Sequence, residues 1–216
     1  MRTKTFFVTL LLLLLAGCGQ PDRPTIGLYL AIQRGDIDQI ERHIRWGADI
    51  NKMDVDGRRP LHVAADRGLF VIARLLLKNG ANINAQNRQG FTPIHSALLA
   101  GRTQVADLFV KQGADYDPDI LLDQVVSNNT TDRDVIKFLL THGADIDHVD
   151  PQGITPLANA VTRNQRVMVK LLIAAGADVN KGTSAGEKPL DLAIKQNNPD
   201  IIRLLKRNGA QATTKP

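Results

Sequence analysis

Thiols are almost absent from these 216 residues, since Cys18 is the single cysteine. No disulfide can form within the chain, and a thiol nucleophile elsewhere in it is excluded. Aromatic residues are few, with one Trp, two Tyr and six Phe. A large charge excess is missing too. There are 27 Lys plus Arg against 22 Asp plus Glu, and without Arg2 and Lys4 the balance is 25 − 22 = +3. Such a mild excess, spread along the chain without a basic run, is no nucleic-acid footprint. The one long apolar run, Phe6 to Leu15, is too short for a membrane span, which needs roughly 20 residues.

That run fits the apolar region of an export signal, about 7 to 15 residues behind a basic start, here Arg2 and Lys4. Residues 1–17 are therefore set aside from the fold. Leu15-Ala16-Gly17-Cys18 resembles the bacterial lipobox. The resemblance implies lipidation of Cys18, which would remove an otherwise leftover thiol in an oxidising compartment. It also implies an envelope lipoprotein facing the periplasm, and Gly19 favours the outer over the inner membrane. Residues 18–24 read as a short tether, stiffened by Pro21 and Pro24, that reaches roughly 20 Å. The remainder is long enough for one continuous core.

A period is the strongest signal. Gly-Ala pairs close aliphatic runs at Gly47, Gly80, Gly113, Gly143, Gly176 and Gly209, at spacings of 33, 33, 30, 33 and 33 residues. Self-similarity of this length means stacked units, none able to bury its apolar face alone. Residues that accept positive φ recur 12 before the pair, at Gly35, Gly68, Gly101, Asn164 and Asn197, and mark a turn between two short helices. Pro60, Pro93, Pro156 and Pro189 open the first helix, with Thr92 and Thr155 before two of them. The second helix carries apolar faces such as Ile72, Leu75 and Leu76. Asp54-Val55-Asp56-Gly57, Asn87-Arg88-Gln89-Gly90 and Asp150-Pro151-Gln152-Gly153 read as tight hairpin turns between units.

Gly90-Phe91-Thr92-Pro93-Ile94-His95 and Arg59-Pro60-Leu61-His62-Val63-Ala64-Ala65, each followed by its Gly-Ala pair, resemble the ankyrin repeat. The resemblance covers residues 25–211, with repeats near 25–52, 53–85, 86–117, 118–148, 149–181 and 182–211 and a tail over 212–216. It implies an all-α solenoid of about six helix-turn-helix units with short β-hairpin fingers at the concave side. It also implies a protein-binding module, monomeric apart from its partner complex. His62 and His95 would then bond backbone groups of their own and adjoining units.

Nothing in the sequence assembles a catalytic site. Gly182-Thr183-Ser184-Ala185-Gly186 matches a nucleophile-elbow pattern, but that motif needs a strand before it and a helix after it within a large sheet. Its spacing is that of an ordinary repeat hairpin, so a hydrolase is only a remote alternative. His43, His142 and His148 form no spaced metal cluster, and neither metal nor cofactor is expected.

The fourth repeat is irregular. With Asn128 as its turn residue, the interval from Gly113 is 15 residues where 21 is usual, and that to Gly143 is 15 where 12 is usual. The hairpin would lack about six residues, and Asn129-Thr130-Thr131 would be inserted between the helices. The result is either repeat drift or a notch fitted to a partner. Asp115, Tyr116, Asp117, Asp119 and Asp123 surround it, an acidic stretch suited to a basic surface. Arg58, Phe91 and Ile154 follow hairpin glycines, and Phe91 and Ile154 should lack core duty there. Since interface energy concentrates in aromatics and arginines, these are the expected partner contacts. The expected role is binding and neutralising a secreted antibacterial toxin, with a phospholipase delivered by a secretion system as the candidate class. The alternative is an envelope scaffold for a resident periplasmic protein.

Overall fold

The computed structural model describes residues 22–213, which form twelve helices and, among them, no strand. The first helices of the six units are α1 (Leu28–Arg34), α3 (Pro60–Asp66), α5 (Pro93–Leu99), α7 (Pro118–Ser127), α9 (Pro156–Thr162) and α11 (Pro189–Lys195). The second helices are α2 (Ile37–Arg45), α4 (Phe70–Lys78), α6 (Thr103–Lys111), α8 (Arg133–Thr141), α10 (Arg166–Ala174) and α12 (Pro199–Arg207). Helices this short are marginal alone, so packing must hold them. One continuous apolar core supplies that packing, running from Ala31 and Ile32 through Leu76, Phe109 and Leu139 to Ile201 and Leu205. Cys18 lies outside the described residues.

Each unit turns between its two helices at one left-handed residue, and the turn repeats down the stack: Gly35, Gly68 and Gly101, then Asn129, Asn164 and Asn197 all have positive φ. Asn129 corrects the expected turn residue. Asn128 stays right-handed at φ −83° and caps α7, donating its side-chain N–H to the Gln124 carbonyl. The interval from Gly113 is therefore 129 − 113 = 16 residues, five fewer than the usual 21. That to Gly143 is 143 − 129 = 14, two more than the usual 12. The insertion is Thr130-Thr131, ahead of the Asp132 cap on α8.

The fourth repeat has not simply lost a finger. Pro118 stands 11 residues before its turn residue, where Pro60, Pro93, Pro156 and Pro189 stand eight before theirs. Accordingly α7 has 10 residues, and the other first helices have seven. One extra helical turn, about 4.5 Å long, replaces the finger.

The expected hairpins are tight turns without a strand ladder. Asp54 is representative. Its N–H donates to the Arg58 carbonyl at 2.7 Å, and its Oδ1 accepts from the N–H groups of Asp56 and Arg58 at 3.0 and 2.7 Å. Asn87 and Asp150 repeat this pattern in the second and third fingers. A single acceptor side chain thus does the work of a strand pair.

Candidate protein-binding surface

The fingers stand in two pairs. Arg88 donates its N–H to the Gly57 carbonyl at 3.0 Å, and Ser184 donates to that of Gly153 at 2.7 Å. Contact inside each pair is close: a methyl at Gly57 would lie 2.5 Å from Arg88 Cβ, and one at Gly153 would lie 2.6 Å from Ser184 Cβ. Gly90 and Gly186 have nothing within 4 Å of the same position. The gap after Gly90 is the notch, and the extra turn of α7 rises into it. Ser184 is therefore a packing residue at a finger tip, with no strand before it.

Small bonds between units set the frame around the notch. Asn51 Oδ1 accepts the Asn82 N–H at 2.8 Å, Asn84 that of Asp115 at 2.9 Å, Asp147 that of Asp178 at 3.0 Å and Asn180 that of Gln211 at 2.8 Å. Each acceptor lies four residues after its Gly-Ala glycine. Asp117 holds that place in the fourth repeat, yet it caps α7 instead, accepting from the N–H groups of Asp119 and Ile120. Asp119, two residues later, takes over and accepts the Asp145 N–H at 2.7 Å.

A second exchange follows from the first. Six residues before the turn stand Tyr29, His62, His95, Asp123, Ala158 and Asp191. Tyr29 Oη donates to the Arg58 carbonyl at 2.8 Å, and His62 Nε2 to that of Phe91 at 2.8 Å, so each reaches the finger of the next unit. His95 has no such finger ahead. Among the described residues it bonds only within its own unit, its Nδ1 2.7 Å from Thr92 Oγ1, which corrects the expected bond to an adjoining unit. Asp123 lies 3.0 Å from His148 Nε2, and His148 Nδ1 donates to the Asp145 carbonyl. The His148 side chain is only 11% exposed. Burial opposes its charge, but Asp123, the Asp145 carbonyl and Asp119 outweigh burial and raise its pKa above 6.5. Burial also raises the Asp123 carboxyl above the ordinary value, and His148 only partly offsets that.

The expected contact residues thus divide into two groups. Arg58 and Phe91 line one hollow of about 260 Å³, floored by His62 and Ser96. Arg58 is braced from within its own finger by Asp54 and Asp56, at 2.9 and 2.8 Å. Phe91 stacks on His95 with ring centroids 5.7 Å apart. Asp115, Tyr116, Asp117 and Asp119 border the notch. Asp115 and Asp117 are exposed, and Tyr116 is half-buried against the core. Ile154 also packs on the core, which corrects its expected freedom from core duty: its finger folds the side chain back onto the stack. Sequence reasoning passed over Ile120, 53% exposed on the extra turn of α7. Its signal was Pro118, displaced by three residues from the register of the other prolines. Among the described residues no group of His, Cys, Asp or Glu could hold a metal ion.

Comparisons with known proteins agree with this architecture. The family model described as ankyrin repeats (3 copies) matches residues 28–119 and 122–216. Potassium channel KOR1 of Oryza sativa subsp. japonica is 46% identical over 50 residues, which are 23% of this chain and 6% of the channel. Human myotrophin is 42% identical over 38 residues, 18% of this chain and 32% of that protein. The chain therefore spans only a small part of the curated relatives it matches. Among solved structures, the ankyrin repeat domain of Bcl-3 superposes with a TM-score of 0.69 at 28% identity, covering 90% of each chain. A chain in the complex of the Bd0816 predatory endopeptidase from Bdellovibrio bacteriovorus with immunity protein Bd3460 has a TM-score of 0.63 at 24% identity. It covers 86% of this chain and 99% of that one. Stacked helix pairs, finger turns and family model together show that the chain belongs to the ankyrin-repeat family and is built as a protein-binding module.

Proposed function

We propose that this chain is an envelope protein, anchored through a lipid on Cys18, that binds and neutralises a secreted antibacterial toxin. The observation that carries the reading is the broken finger row. Two finger pairs, each tied by a backbone hydrogen bond, flank a break in the row where an extra helical turn stands, a preformed surface that needs little ordering on binding. The anchor is supported by Leu15-Ala16-Gly17-Cys18 behind an apolar run. The first repeat is also tied to the start of the described chain, since Trp46 Nε1 donates to the Asp22 carbonyl and Thr25 donates to Gln39. Four residues, Cys18 to Pro21, then precede the folded unit and reach at most about 14 Å. A binder held that close to lipid meets a membrane-attacking enzyme at its substrate, so a phospholipase is the toxin class that fits. The complex of an endopeptidase with an immunity protein is a precedent for ankyrin stacks in such assemblies.

Co-expression of the tagged full chain with the product of its neighbouring gene tests the reading. A one-to-one complex is expected, with toxic lipase activity silenced on binding and cells sensitised by deletion of the chain. Capture of a resident envelope protein, with no toxin inhibited, would replace immunity by a scaffolding role. Replacing Cys18 by Ser should move the protein from the membrane to the soluble fraction.

A further inference from the structure

A second surface lies away from the fingers, on the layer of second helices. A groove of about 670 Å³ runs between α8 and α10. Ile136, Leu140, Val167 and Leu171 line it, and Val167 is 55% exposed. The equivalent hollow between α2 and α4 measures about 280 Å³, and Arg45 and Lys78 are among the residues that line it. Two residues before each Gly-Ala glycine stand Arg45, Lys78, Lys111, Thr141, Ala174 and Arg207. Repeats four and five alone have a small residue there, and the larger groove lies between their second helices, lined by Thr141 and Ala174.

The same two helices also carry an excess of positive charge. On three of the other four second helices a cation pairs with an acid along the helix, Arg45 with Glu41, Lys111 with Asp107 and Arg203 with Asp200, and α4 has two cations, Arg74 and Lys78, and no acid. On α8 and α10 there are four cations, Arg133, Lys137, Arg166 and Lys170, and one acid, Asp134, in the first turn of α8. Arg133, Lys137 and Lys170 line the groove, and none forms an ion pair with a described residue.

We infer that the groove between α8 and α10 docks an acidic amphipathic helix of a protein partner. Its apolar stripe would lie on Leu140, Val167 and Leu171, and its carboxylates would face Arg133 and Lys137 on one wall and Lys170 on the other. The distribution of charge selects this occupant. Arg133 and Lys137 are one turn apart along the groove, about 5 to 6 Å, and Lys170 faces them from the middle of α10. A single-headed amphiphile would neutralise one end only, whereas a helix with acids at successive turns on both sides of its apolar stripe meets all three. Each wall is nine residues long, about 13.5 Å, so the match is a helix of two to three turns. The inference is independent of the lipid anchor and of any toxin.

The probe is a displayed library of 15-residue helices with Leu, Ile, Met or Phe at the stripe positions and Glu, Gln or Lys varied at the flanks. Selection on the purified full chain is expected to enrich Glu on both flanks, and the affinity of selected peptides should fall as salt rises. Ala174→Lys, which restores the residue type of the other repeats, should weaken those peptides at least tenfold without lowering the melting temperature. The pair Lys137→Glu and Lys170→Glu should weaken them as much and shift enrichment towards Lys. No enrichment, neutral or basic flanks on the native chain, or undiminished binding to Ala174→Lys would overturn the inference. So would binding of phosphatidylglycerol vesicles through Lys137 and Lys170 in the absence of any selected helix.

Discussion

His148 and His62 are buried to different ends. His62 Nε2 donates to a carbonyl, and burial holds its pKa below 6.5, as it does for His95. These two lose stability when pH falls below 6.5, because the folded state binds fewer protons than the unfolded chain. His148 has the opposite sign. Its raised pKa contributes stability that is complete below 6.5 and is lost as pH rises through the folded value. Asp123, also raised, acts in the same direction at lower pH. His148→Gln should therefore cost more melting temperature at pH 6 than at pH 8, and thermal melts of both proteins at the two values measure it. Glycines give a second residue-scale contrast. Gly57→Ala and Gly153→Ala meet both positive φ and a neighbouring finger, so each should cost about 2 to 4 kcal/mol in urea unfolding. At Gly90 and Gly186 only the backbone term remains, about 1 to 2 kcal/mol.

The element that departs most from its siblings is α7. Asp119→Ala removes the acceptor for the Asp145 N–H and should destabilise by about 1 to 2 kcal/mol. Asp117→Ala removes a helix cap, at about 1 kcal/mol. Asp115→Ala, whose carboxylate is exposed, should stay within about 0.5 kcal/mol. Chemical denaturation of the three variants ranks them. The helix pairs themselves were legible in the sequence, because glycine, proline and aliphatic residues recur at fixed offsets and each offset has one structural meaning. The fourth repeat was not fully legible. Asn128 and Asn129 are equally able to take positive φ, and only packing decides that Asn129 does. Once the turn is placed one residue late, Asp123 falls in the register of His62 and its meeting with His148 becomes readable. The groove was missed for another reason: Thr141 and Ala174 are unremarkable singly, and their meaning appears only when two adjacent helices are seen to lack the same long side chain.

Among the described residues the main helix contacts run within a repeat or between adjacent repeats, so stability is close to a sum of local contributions. Gly57 and Gly153 belong to finger pairs on opposite sides of the notch and share no partner. Combining Gly57→Ala with Gly153→Ala should therefore be additive within about 0.5 kcal/mol, as a double-mutant cycle would show. The same separation shows in how the repeats are joined. Arg88 and Gly57 are laced together, as are Ser184 and Gly153, but no finger spans from Gly90 to Asp150. Along the finger edge the run of finger-to-finger bonds is interrupted there. The seam is carried instead by α7, through the Asp115 N–H on Asn84, Asp119 on the Asp145 N–H and Asp123 beside His148, so the middle of the array is stitched by side chains where its two ends are stitched by backbone.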